Sequence, residues 1–298
     1  MTGLVLESWA HASPVAGVTL RGWCSPPSGR PLLHVLHGNG FCGRVYEPLL
    51  RELAADFDLW LCDLPGHGDS EAAPRFPGWN AFARTALECA QSATARYGEV
   101  PRLALGHSLG GVLTALMLGT PGQPFQRAVL LDPVLFPPAM LLAMRLGLAR
   151  FNPLARASRR RRRQWPNRDA AEKALHGRGT YQGWTHEALR AFVTHALRDE
   201  ADGSVTLKCA PELEAAIFSS GPRGLWPALR RMSTPTLIAY GRSTMPFVQA
   251  GARHAQALNP GAIGAQAVDG GHCFMQQHPA DTAASVRSHL LQPSTRIE

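Results

Sequence analysis

Apolar positions along this chain keep two alternating rhythms. Short runs rich in Leu, Val and other strand-forming residues fall at 4–9, 18–23, 32–36, 59–62, 102–105 and 128–131. Helical spacing separates the later ones, at 45–54, at 80–97 and from Leu109 onward. The first two runs read as opening strands joined by a turn between Pro14 and Gly17. After Asp132 the alternation stops. Residues 133–233 carry helical patterns and Gly/Pro turns with little strand signal, and the rhythm then returns. It returns as a strand at 236–240, a helix near 247–258, a strand at 262–268 and a closing helix at 279–291.

Strands alternating with helices imply a parallel sheet covered on both faces, because each crossover lays its helix on the sheet. The expected fold is α/β, a mostly parallel eight-stranded sheet with a helical cap inserted after the sixth strand. Its core takes residues 1–132 and 234–298, and the cap takes 133–233. A chain of 298 residues is long enough for one large α/β domain carrying such an insertion.

Composition narrows the function classes. Hydrophobic residues form 45% and charged residues 17%, which excludes global disorder. Much of the formal charge of +8 is local: Arg159, Arg160, Arg161, Arg162 and Arg163 are consecutive, with Arg150, Arg156 and Arg168 nearby. A local basic cluster suits an acidic surface or a phosphorylated substrate better than a nucleic-acid coat. Trp165 alone beside it supplies no stacking platform, so nucleic acid is not an expected partner.

Six widely spaced cysteines, none in a CxxC pair, argue against a zinc site and for a reduced, cytoplasmic compartment. Residues 1–17 lack the basic leader and apolar stretch of a signal peptide. The most apolar region, 129–151, is interrupted by Asp132, Pro133, Pro137, Pro138 and Arg145, so an integral membrane span is not expected.

The sharpest chemistry is Gly106-His107-Ser108-Leu109-Gly110-Gly111, a G-x-S-x-G pattern between an apolar strand and an apolar helix. A turn that tight lifts a serine hydroxyl clear of the sheet, and glycines flank it because a Cβ there would clash. The helix start also leaves backbone N–H groups free to receive an anion.

At these residues the chain resembles the α/β-hydrolase superfamily. His37-Gly38-Asn39-Gly40 resembles its oxyanion loop after the third strand, and Asp63 to Ser70 its loop after the fourth. Gly106 to Gly111 resembles the nucleophile elbow, and Gly270-Gly271-His272 the histidine loop after the last strand. The resemblance implies Ser108 as nucleophile and His272 as general base. Serine needs such a base, and His272 stands where the order Ser…Asp…His requires one. His37, His67 and His107 belong to other motifs, and His34, inside a strand, reads as a packed, satisfied histidine.

Many members place the acid after the seventh strand, but Gly241-Arg242-Ser243-Thr244-Met245-Pro246 holds no carboxylate. The family's second position, after the sixth strand, falls on Asp132, with Asp269 the fallback. Asp63 and Asp69 fit loop bracing. Two N–H donors, each worth about 3 kcal/mol, stabilise the charge that acyl transfer builds on the carbonyl oxygen. The amide of Leu109 is the first candidate and, by resemblance, that of Asn39 the second, with Gly40 and Phe41 alternatives.

The expected function is hydrolysis of a carboxylic ester or thioester of a small-molecule acyl substrate, with no metal and no cofactor. An acyl-CoA thioesterase and, from another class, a non-turnover ligand receptor on the same scaffold are the alternatives. Apolar residues at 137–151, including Met140, Leu141, Leu142, Met144, Leu146 and Leu148, either line an acyl pocket or pack cap on core. The arginine run reads as a solvated face, a phosphate site or a surface for anionic membrane.

Overall fold

The computed structural model describes residues 4–147 and 152–292. Six strands precede the insertion: β1 (Glu7–Ser13), β2 (Val18–Cys24), β3 (Leu32–Leu36), β4 (Asp58–Cys62), β5 (Arg102–His107) and β6 (Arg127–Leu131). Within the insertion lie β7 (Gln164–Trp165), β8 (Leu197–Asp199) and β9 (Val205–Leu207), and β10 (Thr236–Gly241) and β11 (Ile263–Val268) follow it. The main sheet has eight strands in the order β1-β2-β4-β3-β5-β6-β10-β11. Only β1–β2 and β2–β4 pair antiparallel; every other neighbour pair is parallel.

Strands β3 to β6 are buried at every residue, as the continuous apolar runs require for a sheet covered on both faces. One apolar layer joins this sheet to the helices Trp79–Ser92 and Leu109–Leu118, and the other to Glu47–Leu53 and Pro279–Leu290. The opening strand runs from Glu7 to Ser13 rather than over 4–9. Its register is set by the turn that returns Gly17 N–H to Ser13 O, and its exposed edge has little apolar signal.

The segment between Asp132 and β10 contains more strand than its sequence suggests. A small sheet in the order β7-β9-β8 sits among five helices, and strands of two or three residues are too short for a readable alternation. Those helices are Pro138–Arg145, Pro153–Arg159, Arg168–Leu175, His186–His195 and Pro211–Phe218. A sixth helix before position 233, Leu225–Arg231, lies against Leu109–Leu118 on the main sheet. No described helix is long and apolar enough to cross a membrane.

Candidate active site

The carboxyl ends of β3, β5, β6 and β11 converge where the parallel strands stop. Strand β5 ends at His107, and the next residue, Ser108, has φ +53° before the helix Leu109–Leu118 begins. Left-handed backbone is costly for a serine and persists only where its surroundings enforce it. Close packing provides that: a Cβ on Gly106 would lie 2.4 Å from Gly110 O, and one on Gly110 2.3 Å from Leu36 O. Asp132, which directly follows β6, is the one other described non-glycine residue with positive φ, at +44°.

These two strained positions meet at one imidazole. Ser108 Oγ lies 3.0 Å from His272 Nε2, and His272 Nδ1 lies 2.6 Å from Asp132 Oδ2. A carboxylate can only accept here, so Nδ1 carries the ring proton and Nε2 is left to accept from the serine. Asp132 is fully buried, while the His272 side chain keeps 30% of its surface exposed. The carboxylate also accepts from Gly241 N at 2.8 Å and from the Thr244 hydroxyl. Asp269 instead pairs with Arg242 at 3.0 Å on the surface and is 87% exposed.

The loop after β3 flanks the serine. Among the described residues, neither the Leu109 nor the Asn39 amide N–H has a protein acceptor. Phe41 N–H is spent on Gly38 O at 3.2 Å. Behind the loop, Gly38 N–H donates to Tyr46 Oη at 2.9 Å, and Tyr46 donates to His107 Nδ1 at 2.6 Å. His107 Nε2 then donates to the His272 carbonyl at 3.0 Å. Burial keeps His107 well below the usual imidazole range, so it braces as a neutral ring.

His37 donates to Gly38 O at 2.8 Å and accepts from Leu64 N at 3.0 Å. Asp63 accepts from Gly43 N and Asp69 N, while Asp69 pairs with Lys208. His34 is packed but not satisfied: it faces Phe125 at 5.7 Å, and neither ring nitrogen has a partner among the described residues.

A cavity of about 430 Å³ opens over Ser108 and His272, within the range of small-molecule sites. Gly38, Asn39 and Phe41 form its sheet-side wall; Leu154, Ala157, Arg161, Tyr181, Glu214 and Phe218 form its cap side.

A family profile described as Alpha/beta hydrolase family matches residues 33–285. The chain belongs to the alpha/beta hydrolase family. A pimeloyl-[acyl-carrier protein] methyl ester esterase of Chromobacterium violaceum is 26% identical to it over 274 residues, 87% of this chain and 94% of the relative. The abhydrolase domain-containing protein AKT2 of Alternaria alternata is 35% identical over 115 residues. That match spans 37% of this chain and about 40% of the fungal protein's length. Among solved structures, E-2-(acetamidomethylene)succinate hydrolase superposes with a TM-score of 0.76 at 21% identity, covering 97% of this chain and all of the other.

In this alpha/beta hydrolase the helix Pro138–Arg145 does not line the cavity. Leu141 is buried and Met144 packs on the core, whereas Met140, Leu142 and Leu146 are exposed; Leu148 falls outside the described residues, as does Arg150. The cavity roof comes instead from Pro153–Arg159 and from Gly179–Tyr181. The arginine run is not uniform either. Arg160 and Arg163 face solvent, Arg162 covers the Trp165 ring, and Arg161 turns inward to Glu214 at 2.6 Å and to the Tyr181 hydroxyl.

Thr244, Tyr46 and the Arg161–Glu214 pair escape sequence reasoning. Thr244 carried a readable signal, a hydroxyl in the segment where other members place their acid. Tyr46 stands just beyond the loop after β3 and Glu214 comes from a distant segment, and no motif marks either.

Proposed function

We propose that this alpha/beta hydrolase cleaves a carboxylic ester or thioester through an acyl-enzyme on Ser108. The observation that carries the reading is the 3.0 Å contact of Ser108 Oγ with His272 Nε2, backed by the 2.6 Å contact of Nδ1 with buried Asp132. His272 takes the serine proton as Oγ attacks the acyl carbonyl, and Asp132 fixes the tautomer and stabilises the imidazolium. The Leu109 and Asn39 amides receive the oxyanion, each contributing about 3 kcal/mol. His272 then protonates the leaving group and later activates the water that releases the acid.

Ester chemistry is favoured by the relative matched along most of its length, the methyl ester esterase of Chromobacterium violaceum. The monoglyceride lipase of Rattus norvegicus, 34% identical over 114 residues, points the same way. A thioester with a phosphorylated leaving group is the second reading, favoured by the solvent-facing Arg160 and Arg163 at the cap.

Labelling with a fluorophosphonate tests the proposal. Wild-type protein should label, and Ser108→Ala should not. A folded wild-type protein that fails to react would make it a binding protein on a hydrolase scaffold.

A further inference from the structure

The loop from His37 to Phe41 is held as much by the cap as by the sheet. Phe41 packs edge-on against Trp184 and Phe192 of the cap, with ring centroids 5.6 and 5.8 Å away. The Asn39 side-chain amide donates to the Glu214 carbonyl at 3.1 Å. Gly40, at φ +78°, lies flat against the Glu214 carboxylate: a Cβ there would sit 2.7 Å from Oε1. Glu214 therefore touches two consecutive residues of the loop whose Asn39 lines the cavity with Ser108.

A buried carboxylate in that place needs a counter-charge. The Glu214 side chain is only 5% exposed, and Arg161 meets it at 2.6 Å while donating its other terminal nitrogen to Tyr181. All three side chains line the same cavity as Ser108 and His272. Left unneutralised, the carboxylate would repel the negative charge that forms on the substrate oxygen during attack.

We infer that Glu214, neutralised by Arg161, is a positioning residue that couples docking of the cap to the placement of the Asn39 amide. This rests on the acyl-transfer reading of the site and goes beyond it. Hydrolysis then requires the cap to be seated, because the pair that seats it also sets the oxyanion loop and cancels the charge beside it. A removed Arg161 leaves a buried charge uncompensated, and the cost falls on the transition state more than on substrate binding.

The test is steady-state hydrolysis of p-nitrophenyl acetate by wild type, Arg161→Met, Glu214→Gln and the double variant. In Arg161→Met, kcat should fall roughly 100-fold, the scale of a 1 Å misplacement, with KM changed by less than about threefold. The double variant, which removes the stranded charge, should recover at least about tenfold over Arg161→Met. Inhibition by a trifluoromethyl ketone, whose adduct places an oxyanion in the hole, should weaken in parallel with kcat.

A double variant no faster than Arg161→Met, or ketone affinity unchanged while kcat falls, would overturn the inference. If Arg161→Met does not fold, Glu214→Ala against Glu214→Gln carries the same comparison. The amide keeps the loop contact and should stay well above the alanine variant in kcat and ketone affinity; equal losses would sink the idea. Wild type and Ser108→Ala, run alongside, separate the two claims. Turnover that ignores Ser108 defeats the parent reading, whereas Ser108-dependent turnover with unaffected Arg161 and Glu214 variants defeats this one alone.

Discussion

Thr244 donates its hydroxyl to Oδ2 of Asp132, the oxygen that also accepts His272 Nδ1–H at 2.6 Å. The segment after β10, which holds no carboxylate, supplies the hydroxyl that holds the Asp132 carboxylate still. Together with Gly241 N–H it leaves the fully buried carboxylate one orientation toward the ring.

Thr244→Val should therefore loosen Asp132 without moving the backbone. Losing a hydrogen bond to a buried charged group costs about 1.5–3 kcal/mol, and turnover should fall roughly tenfold. Thermal unfolding and kcat on an aryl ester, measured together, check this; unchanged values in both would remove Thr244 from the site.

Asp132→Asn should cut turnover by about 10⁴ with the fold intact, because an amide stabilises the wrong tautomer and cannot balance an imidazolium. Asp269→Asn, at an 87% exposed carboxylate paired with Arg242, should leave kcat near wild type. The reverse ranking would exchange the two roles.

Much of this arrangement was legible in the sequence. Strands β3 to β6 announce themselves because a sheet covered on both faces needs unbroken apolar runs, and the elbow because only glycine tolerates the close approaches at Gly106 and Gly110. The cap was less legible. Its strands are too short to show a period, and the pocket-lining role of Arg161 depends on a partner 53 residues away. An arginine in a run of five looks the same whether it faces water or Glu214. Likewise, an apolar helix such as Pro138–Arg145 reads alike whether it lines a cavity or packs on a core.

Stability should fall in mild acid. Burial pulls His34 and His67 down to about 3 and His37 to about 4, and holds His107 well below its ordinary value. Each ring stays neutral in the native protein while the unfolded chain takes up a proton below about pH 6.5, so stability is lost as pH drops from there towards 3–4. Asp63, raised to about 6 by burial, and Glu214, also raised by burial, work in the opposite sense but are outnumbered by the four rings. Urea midpoints between pH 7 and 4 should show the decline. His34→Leu, at a ring with no hydrogen-bond partner among the described residues, should flatten it by up to about 1.4 kcal/mol per pH unit. An unchanged slope would mean His34 is not among the groups responsible.

The most direct test is to trap the covalent intermediate. Rapid acid quenching after mixing with p-nitrophenyl butyrate, followed by peptide mass mapping, should find one butyryl group on Ser108, and Ser108→Ala should show neither adduct nor turnover. An acyl group mapped to another residue, or hydrolysis undiminished in Ser108→Ala, would contradict the account.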